Sequence, residues 1–153
     1  MASYPDRGTA GPSSLSTDSF RSGELTTSDF ENGSDEIVRA FKTNNYDGEI
    51  GTDLVFKNDR VRLWHRTLQP GETMPVHRHA FIYFWTAIMP GRFLQRTDDG
   101  TTCASDFQAD FSHFYDGGWN EFALHNLENV GTMMMIFCAV ELKKESRNSP
   151  LPV

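Results

Sequence analysis

The sequence predicts an all-β fold of the jelly-roll or barrel type, and three features of the chain from Asp53 onward predict it. Turn signals recur about every 8 to 12 residues, at Pro70-Gly71, Pro90-Gly91, Asp99-Gly100, Gly117-Gly118 and Gly131. Between them lie β-branched and aromatic runs: "DLVFK", "VRLWHRTL", "FIYFWTAIM", "RFLQRT", "TTCASDF", "EFALHNL" and "MMMIFCAVEL". Asp99-Gly100 between two such runs is a strong hairpin signal, because both residues tolerate the positive φ of a tight turn. So many short strands leave many unpaired edges, which only a closed or double-sheet architecture manages.

The elements follow in order. Residues 1–35 read as a polar, mobile arm: Ser, Thr, Gly and Pro dominate, and the few apolar side chains show neither a strand nor a helix period. Leu25 to Phe30 is the part of that arm expected to dock. Residues 36–52 connect the arm to the strands, and "SDEIVRAF" supplies an N-cap serine and acidic residues for one or two helical turns. The barrel is expected over 53–143, with a short tail over 144–153. A chain of 153 residues suffices for one core and is short for two.

Composition narrows the function. The net charge of −7 includes no basic stripe, which argues against nucleic acid or an anionic membrane as partners. The longest apolar runs fall far short of the roughly 18 to 20 residues of a membrane span, and no basic-then-apolar leader is visible. A cytoplasmic protein is the expectation. Cys103 and Cys138 make neither a disulfide framework nor a metal spacing, and read as free thiols.

Chemistry concentrates in "PGETMPVHRHAFIYFWTAIMPG". On a strand, His77 and His79 project to one face and could grip one ion together. A third imidazole would come from His125 in "EFALHNLENVG", and three neutral imidazoles suit Zn, Fe, Ni or Cu while leaving coordination positions open.

These residues resemble the cupin family. Gly71, five residues, His77, one residue, His79, four residues, Phe84, six residues and Gly91 follow its first motif, G-x5-H-x-H-x3,4-E-x6-G. His125 and Asn129 resemble the end of its second, P-x-G-x2-H-x3-N. The resemblance implies a double-stranded β-helix and a metal held by His77, His79 and His125. Two departures matter. The glutamate position holds Phe84, or Tyr83 on the shorter spacing, and the second motif has Asn120 and Phe122 where Pro and Gly are usual. Without the carboxylate the chain is similar to the three-histidine cupins, which include thiol and diketone-cleaving dioxygenases.

Strand parity supplies the remaining candidates. Glu121 shares a face with His125 and is the candidate general base. Phe84, with Ile82, Thr86 and Ile88, is expected to wall the cavity, leaving Tyr83 and Trp85 outward. Of the strand 61–68, either Arg62, Trp64, Arg66 and Leu68 or the alternate residues face inward. Trp64 and Arg66 are the substrate-contact candidates there, Arg66 as an anchor for a carboxylate.

The functional expectation is a small-molecule enzyme with one divalent transition metal ion, iron first and Zn, Ni or Mn as alternatives. It would be a dioxygenase for an oxygen-rich acid or dicarbonyl compound. A non-redox isomerase, lyase, cyclase or hydrolase and a non-catalytic ligand-binding module are the competing readings. A homodimer through sheet edges and the N-terminal arm is also expected.

Overall fold

The computed structural model describes residues 25–30, 33–44, 47–116, 123–146, 148–151 and 153. Nine strands among them form two antiparallel sheets: β1 (Asp53–Lys57), β2 (Val61–Leu68), β3 (Thr73–His79), β4 (Ile82–Ala87), β5 (Gly91–Thr97), β6 (Thr102–Phe107), β7 (Ser112–Tyr115), β8 (Ala123–Asn129) and β9 (Met135–Leu142). One sheet has the order β1-β2-β9-β4-β7 and the other β3-β8-β5-β6, so strands distant in sequence pair and the chain winds back and forth between two layers. This is the double-stranded β-helix.

The two inner faces meet in a core of Leu68, Met74, Ala87, Phe107, Leu127, Met135 and Phe137, with Trp85 and Phe93 packed against it. Each large apolar side chain, fully buried, contributes roughly 1.5–3 kcal/mol. Gly91 opens β5 because the core leaves no room there: a Cβ would stand 2.5 Å from Met135 Cγ. The Asp99-Gly100 turn closes the β5–β6 hairpin as expected, with Gly100 at φ 84° and Arg96 paired with Thr102.

The outer face of the four-stranded sheet is covered by the segment before β1. Helix α1 (Asp35–Thr43) starts where Ser34 accepts a hydrogen bond from Ile37 N, with Asp35 and Glu36 in its first turn and Lys42 in its last, all favourable to the helix dipole. Its Val38 and Phe41 are buried with Val76 and Leu124 of the sheet and with Leu25 and Phe30, the Phe30 and Phe41 rings stacking at 5.1 Å. Leu25 and Phe30, expected to seek a neighbour's sheet edge, are thus buried on their own chain, where a ready apolar surface lies a few residues away. No helix among the described residues is long and apolar enough to cross a membrane.

Candidate metal centre

The site begins at the Pro70-Gly71 turn. Gly71 takes φ 77°, a conformation that costs other residues more, and its N–H donates to Asn129 O, while Asn129 N–H donates to Glu72 O. These bonds clamp the start of β3 to the end of β8. The register then shifts between Met74 and His77, a bulge at Pro75, which has no N–H to give the ladder. The shift sends Val76 to the outer cluster and sets His77 directly opposite His125. It also brings Pro75 O to 2.8 Å from His77 Nδ1. A carbonyl can only accept, so Nδ1 carries the proton and the Nε2 lone pair of His77 is left for the interior.

The three Nε2 atoms converge. His77 Nε2 is 3.0 Å from His79 Nε2, and His79 Nε2 is 2.9 Å from His125 Nε2. Two nitrogens at about 2.1 Å from one ion and about 90° apart would be about 3.0 Å from each other, so the donor set fits a single transition-metal ion. Burial pushes His77 down to about 4, and it pushes His79 and His125 well below the usual imidazole range, with their mutual repulsion adding to it. The imidazoles are therefore neutral, the form that ligates. No carboxylate joins the three histidines within ligand reach among the described residues.

A metal-bound histidine is commonly steered by a hydrogen bond to its other nitrogen. His77 has that bond, whereas His79 Nδ1 and His125 Nδ1 are buried without a partner among the described residues. The His79 imidazole is steered by a ring instead. Tyr83 stacks on it at 4.0 Å and in turn packs against Tyr115 at 5.3 Å.

That stack overturns the expected parity of β4. Tyr83 is buried inside and Trp85 packs on Phe107 and Phe137 of the core, whereas Phe84 points outward and is 36% exposed. Phe84 therefore is no wall of the cavity. The motif alignment that counts three residues after His79, not four, is the physical one, because Ala80 and Phe81 link β3 to β4 and a slip of one residue inverts every side chain that follows. Tyr83 stands where the motif has glutamate.

The face of β2 left open by the sequence is also decided: Arg62, Trp64, Arg66 and Leu68 are inside. Arg66 is buried, its Nε has no hydrogen-bond partner among the described residues, and it lies close enough to His77 for its charge to help hold that imidazole neutral. Burial lowers its own pKa, against the distant pull of Glu72 and Asp53. Trp64 is committed elsewhere, its indole N–H donating to Glu141 Oε2 at 2.8 Å.

Glu141 is the residue that sequence reasoning missed. It is 2% exposed, pairs with Arg62 at 3.7 Å, and sits directly across from Tyr83 in the β4–β9 register. Burial raises its carboxyl pKa, opposed by the Trp64 hydrogen bond and the Arg62 charge. Alternation in "MIFCAVEL" carried the signal, since Met135, Phe137, Ala139 and Glu141 share one face and three of them are core. The expected base, Glu121, lies outside the described residues.

Asn129, the last residue of the second motif, holds the frame and is fully buried. Its Nδ2 donates to Leu68 O and Met133 O, and its Oδ1 accepts from Gly131 N.

No family model matches the chain, and no curated protein matches it. Solved structures do. A cupin domain from Bordetella pertussis Tohama I is 26% identical, with a TM-score of 0.54, over 63% of this chain and 95% of that one. A double-stranded β-helix protein from Klebsiella pneumoniae is 17% identical at a TM-score of 0.48, covering 71% and 93%. A cupin family protein from Methanocaldococcus jannaschii is 16% identical at 0.47, covering 57% and 73%. With the Bordetella likeness in fold and the three Nε2 atoms brought to one point, this chain has the cupin double-stranded β-helix fold and carries three histidines placed to hold one metal ion.

Proposed function

We propose that the chain is a mononuclear metal enzyme, an iron dioxygenase acting on a small oxygen-rich acid or dicarbonyl compound. The observation that carries the reading is the convergence of three neutral imidazoles with no carboxylate among the described residues, beside a buried Arg66 whose Nε has no partner among them. His77, His79 and His125 would hold the ion. Divalent iron there supplies the redox chemistry by which dioxygen reacts with a chelated substrate.

The chain's own residues do the rest. Neutral ligands leave a divalent charge uncompensated, so an anionic substrate is favoured over a neutral one. Arg66 adds a second positive charge and a fork of donors that matches a carboxylate. Tyr83 keeps the His79 ring in place, and the aromatic core beyond it excludes water.

Glu141 favours a second reading. A buried carboxyl with a raised pKa, across from Tyr83, is suited to hold and return a proton. With Zn, Ni or Mn as Lewis acid, that arrangement supports isomerase, lyase, cyclase or hydrolase chemistry.

Elemental analysis of untagged protein, beside a His77→Ala/His125→Ala variant, tests the site. Stoichiometric transition metal in the wild type and loss in the variant is expected, and equal content in both would overturn it. Oxygen uptake on mixing the iron-loaded protein with diketones, thiols or hydroxy acids separates the readings. Iron with uptake supports the dioxygenase; zinc or nickel without uptake moves the assignment to proton-transfer chemistry.

A further inference from the structure

The two sheets close on each other unequally. On the side of β2 and β3 the inward side chains are buried, Arg66, Leu68, Met74 and His77 among them. On the side of β6 and β7, each the edge strand of its sheet, they are only half-buried: Gln95, Cys103 and Ser105 face Trp85, His113 and Tyr115. The layers therefore part there into a slot that water reaches.

Its two walls differ. One is aromatic: Trp85 lies 6.4 Å from His113, and Tyr115 lies 5.3 Å from Tyr83. The other carries two small side chains, Cys103 Sγ and Ser105 Oγ, 3.7 Å apart, which leave space between layers that pack about 10 Å apart. Buried Phe107, 5.7 Å from Trp85, closes the floor. The other end reaches the metal centre on both walls. Tyr83 stacks on His79, and across the sheet His125 pairs with Thr97, which puts Gln95 diagonally beside it and Cys103 opposite Gln95.

We propose that this slot seats an aromatic ring, so that the substrate is an aryl-substituted 2-oxo or 2-hydroxy acid. The inference rests on the metal reading above: the acid's oxygens go to the ion and Arg66, and its ring lies between His113 and Tyr115 on one side and Cys103 and Ser105 on the other. Length agrees, since the row of His125 and Thr97 stands two strand residues, about 6.6 Å, from that of Gln95 and Cys103, comparable to the reach from chelating oxygens to a ring. Chemistry selects the occupant. Half-exposed aromatic faces gain more from a second ring, stacked or edge-on, than from an alkyl group. The inward positions of β4 to β7 hold no Asp, Glu, Lys or Arg, so a charged substituent would lose water there and find no counter-ion.

Calorimetry on the zinc-loaded full chain, with pyruvate and phenylpyruvate as the probes, tests it. Phenylpyruvate is expected to bind about tenfold more tightly. Ser105→Phe fills the slot and should bring that ratio close to one, with zinc content equal to the wild type as proof of an intact site. Where Ser105→Phe fails to hold zinc, His113→Ala, which removes part of the aromatic wall, should lower the ratio at least threefold. A wild-type ratio near one, or a ratio unchanged in the zinc-replete variant, would overturn the slot and leave the chelation reading standing. Binding of neither acid would overturn that reading and the slot with it.

Discussion

The Tyr83 ring lies on the His79 imidazole, centroids 4.0 Å apart and planes 21° from parallel. With His79 Nδ1 lacking a hydrogen-bond partner among the described residues, the stack is what fixes the ring that presents Nε2 to the metal. Tyr83→Phe retains the ring and should change metal affinity by less than about threefold. Tyr83→Ala removes it, and should weaken affinity about 10- to 100-fold, the range seen when outer supports of metal ligands are lost. It should also cost about 3–5 kcal/mol of stability as a large-to-small core change. Chelator competition and urea melts read the two effects separately.

Stability of the metal-free chain should fall as pH drops below about 6.5. The reason is that burial holds His77 at about 4 in the folded chain, against 6.5 unfolded, so the unfolded chain binds protons more readily across that window. The contribution is fully present above pH 6.5 and lost on the way to pH 4, on the order of 3 kcal/mol for His77 alone. His79 and His125 act in the same direction. Glu141 opposes them, as does Asp98: burial raises each carboxyl's pKa, so the folded chain takes up those protons first and acid favours folding there. Urea midpoints between pH 8 and pH 4 should therefore slope more steeply in Glu141→Gln and less steeply in His77→Gln than in the wild type.

The histidines were legible in the sequence because their spacing is local: one strand sets His77 beside His79, and the turn at Gly131 bounds the strand carrying His125. Strand bounds were legible for the same reason, β1 and β2 coinciding with "DLVFK" and "VRLWHRTL". Inward or outward was not. Parity survives only while the register is unbroken, and two short irregularities intervene, the bulge at Pro75 and the Ala80-Phe81 link. Tyr83, Trp85 and Phe84 all exchanged sides as a result. Glu141 was hidden by the ordinary rule that a charged residue ending a strand is solvated; only the cross-strand partners Trp64 and Arg62 reveal its burial, and they lie more than seventy residues away.

Asn129 should behave as a structural residue in spite of its place in a ligand motif. Asn129→Ala would leave Leu68 O, Met133 O and Gly131 N without the bonds they now have, in a site with no exposure. Such losses cost about 1–3 kcal/mol per stranded buried group at most, and partial relaxation brings the expected total to about 2–4 kcal/mol. Metal content per folded chain should remain near that of the wild type, because the Asn129 side chain spends its hydrogen bonds on Leu68 O, Met133 O and Gly131 N. A variant that kept its urea midpoint and lost its metal would reverse this assignment and make Asn129 part of the site.

Arg66 offers the sharpest separation of substrate from metal. It is buried on the inner face of β2, it acts electrostatically on His77, and it makes no ion pair within the described residues. Holding a guanidinium in such a place is costly unless an anion arrives to share it. Small carboxylates such as oxalate, acetate and pyruvate should therefore bind the zinc-loaded protein measurably by calorimetry, and Arg66→Gln should weaken them about 10- to 100-fold. Arg66→Lys should fall between, since an ammonium keeps the charge and loses the two-pronged geometry. Zinc content should be unchanged in both variants, because Arg66 supplies no ligand. Removing a buried charge should leave stability equal or higher, so a variant that binds carboxylates as well as the wild type would exclude Arg66 as the anchor without an ambiguity of folding.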